Sequence, residues 1–202
     1  TAATRLAAVA IEHRLLTDRL AHQGQHDALT GLPNRLLLQD RLGQALAHPE
    51  SVEKLILMAP GGVEERETYF KMEGILRMVE TFAKGPMGPE QMRHVMSLQV
   101  FDPALLDDDT INERSAIAPL QPANLFTTMM VPNLTERLHE IAAPIFGFWG
   151  TDDKFNPHSG ALKLIENARN ARMILLNQCG HWVQVEHRDL FNRSCIDFLT
   201  KG

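Results

Sequence analysis

Two loops of this sequence carry residues that can do acid–base chemistry together. In WGTDDKFNP, residues 149–157, Asp153 follows an apolar run. In CGHWVQVEH, residues 179–187, His181 follows another. An aspartate that accepts the Nδ1–H of a histidine fixes its tautomer and stabilises the imidazolium. Nε2 is then left to work as a base. The pair is the orienter and base of a nucleophile–His–Asp arrangement. The plainer alternative is that Asp152 and Asp153 only open a turn. Cys179 is too near His181 along the chain to meet it in the geometry of a nucleophile.

The elements around these loops set their positions. VEKLILMAPGG (52–62), APIFGFWG (143–150) and ARMILLNQ (171–178) are short apolar runs bounded by turn residues, which predicts three strands. Helices are predicted over 64–83, 88–101, 109–118, 134–141, 158–168 and 191–202. Asp107, Asp108, Asp109 and Thr110 supply an N-cap and an acidic first turn for INERSAIA. Glu186 and His187 are expected to anchor the terminal helix. Strands separated by helices imply parallel βαβ pairing. In such a sheet ligands gather at the carboxyl ends of strands, so the Asp153 and His181 loops should lie side by side. The helical stretch of about 63–140 is long for a crossover and reads as a lid.

Composition narrows the function classes. A chain of 202 residues with 44% apolar and 22% charged residues reads as globular. A net charge of −5 without a basic run argues against nucleic-acid binding. No apolar run approaches the roughly 18 residues that span a bilayer, and TAATRLAAVAIEHRLL is a poor signal peptide. Two cysteines make no disulfide framework, so the cytoplasm is the expected compartment. No CxxC or HExxH spacing occurs, and no metal or cofactor is expected.

The first 46 residues differ in character from the rest. Leu6, Val9, His13, Leu16 and Leu20 follow helical spacing. A second helix is predicted to start near Pro33. DALTGLPNR, residues 27–35, resembles the opening of a GGDEF (diguanylate cyclase) domain, and the helix before it resembles a signalling helix. Neither the GGDEF loop nor the metal-binding strand follows. Asn34, which matches a guanine-contacting residue there, reads here as a turn or helix-start residue.

Residues 47–202 resemble the C-terminal part of the α/β-hydrolase fold. HPESVEKLILMAPGG, FWGTDDKFNP, GALKLIENARNAR and CGHWVQVEHRDLFNRSCIDFL resemble the meta-cleavage product hydrolases, which cleave a C–C bond in 2-hydroxy-6-oxo-dienoates during aromatic degradation. The resemblance selects Asp153 over Asp152 as the triad acid and makes His181 the base. It implies that Trp182 lines the substrate site. It implies further that Arg114, in INER, binds the substrate carboxylate; a solvated or salt-bridged Arg114 is the alternative. The expected fold is α/β, a partial α/β-hydrolase fold of about three parallel strands with flanking helices and a helical lid, preceded by a helical N-terminal segment. The expected domains are 1–46, a GGDEF-like leader, and 47–202, the hydrolase part.

The family's nucleophile is a serine in a G-x-S-x-G elbow ahead of the KLILM strand. That elbow should fall near residues 25–33, where the chain reads QHDALTGLP. No G-x-S-x-G occurs, and none of the five serines lies in an elbow. Ser159 and Ser115 are the candidates for a serine brought in from elsewhere. The chain therefore reads as a chimera, with its seam near residues 43–48. Weak or altered ester or C–C hydrolysis is expected at most. The alternative is a non-catalytic remnant or oligomerising module. The exposed edge of the KLILM strand predicts self-association as a homodimer or higher oligomer, alongside a small-molecule substrate.

Overall fold

In the computed structural model, residues 46–120 and 132–201 are described. The leader helix, DALTGLPNR and Asn34 lie outside the described residues, as do residues 121–131. Residues His48–Gly202 form one compact unit.

Three strands make the sheet: β1 (Leu55–Met58), β2 (Ile145–Gly150) and β3 (Ala171–Leu176). The order is β1-β2-β3 and both pairings are parallel. Leu55 sits opposite Ile145, and Gly150 opposite Leu176. IFGFWG has no charged residue and is buried along its whole length, as a central strand covered on both faces must be. The flanking strands are only partly buried. This is a partial α/β-hydrolase fold, three parallel strands with flanking helices.

Each face of β2 is sealed by a different helix. On one face Phe146 and Phe148 pack with Cys179 and Val183, and with Phe191, Cys195 and Phe198 of the terminal helix. The Phe146 and Phe148 rings meet edge-on with centroids 4.8 Å apart. Burial of each such ring contributes about 1.5–3 kcal/mol. On the other face Gly160, Ala161 and Leu164 of the helix Ser159–Asn167 are buried. Gly160 is pressed to Trp149, where a Cβ would come within 2.5 Å of the indole.

Between β1 and β2 run the helices α1 (Arg66–Tyr69), α2 (Glu73–Ala83), α3 (Pro89–Ser97) and α4 (Asp108–Ile117). Asp107 caps α4 as expected, accepting the Thr110 N–H at 2.7 Å. The single helix expected over 64–83 is broken between Tyr69 and Glu73, where Met72 is extended. The break lets Gly74 donate its N–H to the Lys154 carbonyl at 2.7 Å. The helix expected to reach 101 stops at Ser97, which frees the Gln99 carbonyl for other donors. Residues Thr135–Glu140 form a 3-10 helix, and the terminal helix starts at Arg188, earlier than expected. Helix Ser159–Asn167 becomes α5, the one-turn helix Val183–Glu186 α6, and Arg188–Thr200 α7.

Two clusters seat these helices on the loops of interest. Met78, Val95 and Leu98 pack on Phe155, two residues past Asp153. Met96, Val100, Leu106 and Ile111 form the second, with Trp182 against it. No helix among the described residues is long and apolar enough to cross a membrane.

Candidate active site

The acid loop begins where β2 ends. Asp152 is exposed, whereas the Asp153 side chain is 0% exposed. Asp153 Oδ1 accepts the N–H of Phe155 at 2.7 Å and of Asn156 at 3.0 Å. This turn, which Asp side chains readily form with the backbone just ahead, locks the carboxylate. It aims Oδ2 at His181 Nδ1, 2.8 Å away.

The base loop begins where β3 ends. Asp152 donates its N–H to the Cys179 carbonyl at 3.0 Å, so the two loops do lie side by side. His181 is held from behind as well. Its N–H and that of Trp182 both go to the Gln99 carbonyl, at 2.8 and 3.1 Å. The Phe155 ring lies 5.6 Å from the imidazole, and the His181 side chain is only 10% exposed. With Nδ1 committed to Asp153, Nε2 is the nitrogen available for proton transfer.

Cys179 does not supply a nucleophile. Burial, and then the nearby Glu186 carboxylate, push its thiol up to about 12. At neutral pH it stays a protonated, unreactive thiol. The serines named as candidates are engaged elsewhere: Ser159 Oγ donates to Glu64 at 2.6 Å, and Ser115 Oγ to the Ile111 carbonyl at 2.8 Å.

Arg114, on α4, places its guanidinium 5.9 Å from the centre of the Trp182 ring. A planar cation over an aromatic face is attracted to it. All four residues expected from the sequence therefore gather in one place. Asp153 bonds to His181, Trp182 follows His181, and Arg114 covers Trp182.

Known proteins are similar to this chain over most of its length. A 2-hydroxy-6-oxo-6-phenylhexa-2,4-dienoate hydrolase of Burkholderia cepacia is 34% identical over 97% of this chain and 73% of its own length. A 2-hydroxy-6-oxononadienedioate/2-hydroxy-6-oxononatrienedioate hydrolase of Comamonas testosteroni is 32% identical over 95% of this chain and 71% of its own. The chain belongs to the meta-cleavage product hydrolases. A solved hydrolase of this family, from Pseudomonas fluorescens, superimposes with a TM-score of 0.66 at 24% identity. The match covers 81% of this chain and 61% of that one, so the chain spans less than two thirds of the solved enzyme. No family model matches. The Burkholderia alignment covers too much of the chain to stop at residue 47, so it runs into the leader.

Two positions around this candidate site escaped the sequence reading. Asn156 ties three parts together: its N–H goes to Asp153, its carbonyl accepts the Trp149 Nε1–H at 3.0 Å, and its Nδ2 donates to the Ala59 carbonyl at 2.6 Å. Ala59 has a φ of 38°, a conformation that a non-glycine residue adopts only under constraint. The spacing Asp153-x-x-Asn156 was the available signal for such a turn. Gln99 acts through its backbone carbonyl, so its side-chain type gave no signal.

Proposed function

We propose that this chain provides the acid, the base and the carboxylate-binding residue of a hydrolase acting on 2-hydroxy-6-oxo-dienoates. Asp153 orients His181, Arg114 meets the substrate carboxylate, Trp182 forms a wall, and the segment of about 63–140 serves as the lid. The observation that carries this reading is the 2.8 Å bond between buried Asp153 and His181 Nδ1. The family membership and the Arg114–Trp182 stack support it.

No G-x-S-x-G occurs in the sequence. We therefore propose weak turnover, falling mainly on activated esters, with the C–C reaction slower still. His181 Nε2 takes a proton from water as the oxygen adds to the ester carbonyl. Asp153 stabilises the imidazolium, which returns the proton to the departing alkoxide or phenolate. The GGDEF-like reading of residues 27–35 rests on their sequence alone.

A second reading has its own observation. β1 is the first strand of the sheet, and its outer edge pairs with no strand among the described residues. Open edges pair with other chains, so self-association, with or without turnover, is the alternative. The deciding experiment follows p-nitrophenyl acetate and 2-hydroxy-6-oxo-6-phenylhexa-2,4-dienoate with wild type and His181→Ala at matched oligomeric state. Turnover lost in the variant supports the hydrolase reading. Equal rates leave the non-catalytic module.

A further inference from the structure

Glu186 stands outside the acid–base pair and was expected to anchor the terminal helix. Its carboxylate instead turns back to the loops. Oε1 accepts the Gly180 N–H at 2.7 Å, next to His181. Oε2 accepts the Phe101 N–H at 2.6 Å, in the segment that leads from α3 toward α4. The Cys179 thiol points at Oε1 from 3.7 Å. Every one of these partners is a donor, so the site suits a group with two acceptor oxygens and no hydrogen.

The two segments joined in this way are already in close contact. A Cβ on Gly180 would meet the Gln99 carbonyl at 2.7 Å and the Phe101 nitrogen at 3.0 Å. The Gln99 carbonyl receives His181 and Trp182 from one side, and Glu186 binds the neighbouring amides from the other. The His181 loop thus has no backbone donor from Gly180 to Trp182 left to bond elsewhere. Seven residues beyond Phe101 the chain enters α4, which carries Arg114.

We propose that Glu186 is a positioning residue: its carboxylate clamps the His181 loop to residues 99–101 of the lid and so sets the spacing between the base and Arg114. This inference rests on the hydrolase reading for its functional meaning. The clamp itself is read from amides and needs no turnover.

The test is backbone amide exchange by NMR, together with the ring 15N resonances of His181, in wild type, Glu186→Gln and Glu186→Asp. Glutamine keeps one acceptor oxygen and presents an NH2 to the other amide. Exchange of the Gly180 or Phe101 amide should then rise by about tenfold or more. The His181 ring resonances should shift, while the amides of β2 keep their wild-type rates. Aspartate keeps both oxygens one methylene short, and its effect should be smaller than that of glutamine. Unchanged amides in both variants overturn the clamp. So does an acceleration shared equally by β2, which reports general destabilisation. Absent dienoate turnover in wild type would count against the hydrolase reading alone, because the exchange rates report the clamp in either case.

Discussion

Gly150, the last residue of the central strand, lies against the backbone of Gly180, so close that no side chain fits between them. A Cβ there would run into the carbonyl oxygens of both Cys179 and Gly180. These are the carbonyls beside His181, so strand end and base loop can approach only through glycine. Gly150→Ala should cost about 3 kcal/mol or more, because rigid backbone has to move. Gly147→Ala, three residues earlier in the same strand, should cost less, about 1 kcal/mol. Its Cβ meets chiefly the mobile end of Met173, at 2.6 Å. Urea unfolding of the two variants checks the order. Equal losses would contradict it.

Asn156→Ala removes the bond to the Ala59 carbonyl and leaves that carbonyl buried without its 2.6 Å partner. A loss of about 2 kcal/mol in urea unfolding is expected. Because the N–H of residue 156 still reaches Asp153, the Asp153–His181 bond should survive in a crystal structure of the variant. A neutral effect on stability would show that the loop is held by other means.

The positions of Asp153 and His181 were legible because each follows a strongly apolar strand, and parallel strands deliver such loops to one edge. The Asp107 cap was legible for an equally local reason: its carboxylate reaches an N–H three residues on. The helix break between Tyr69 and Glu73 was not. It depends on Gly74 meeting Lys154 and Phe155, residues of the loop after β2. Glu186 was misjudged in the same way. It stands beside α7 in sequence, yet one of its bonds spans 85 residues of chain. Local pattern reads helix and strand, whereas these contacts exist only after distant segments of the chain have packed together.

Stability should fall above pH 9. In the folded chain the Cys179 thiol is pushed from 9.0 up to about 12, chiefly by burial, and Tyr69 is raised above 10.0 for the same first reason. A raised value means that the folded state favours the protonated form. That contribution is complete below the ordinary value and is lost as pH rises toward the folded one. The urea midpoint should therefore drop between pH 8.5 and about 11, and Cys179→Ala should flatten the drop. A midpoint that rises over this range contradicts the burial argument.

Cys179 should also resist iodoacetamide at pH 8 in the native state, and the reagent should leave ester turnover unchanged. Mass spectrometry of the intact protein and its peptides reads the modification. Rapid carboxymethylation of Cys179 would make it a candidate nucleophile after all.

Arg114→Ala should separate binding from chemistry. If the guanidinium over Trp182 holds the substrate carboxylate, KM for the dienoate rises by about tenfold or more. Hydrolysis of uncharged p-nitrophenyl acetate stays near wild type. An equal fall for both substrates would assign Arg114 to the packing of the lid.

The account depends most on Asp153 and His181 acting as one unit. The direct measurement is a double-mutant cycle on p-nitrophenyl acetate hydrolysis with Asp153→Asn, His181→Ala and the double variant. The account predicts that the double variant loses no more than His181→Ala alone, because an orienter has nothing to orient once the base is gone. Losses that multiply, or a wild-type rate equal to that of His181→Ala, would contradict it.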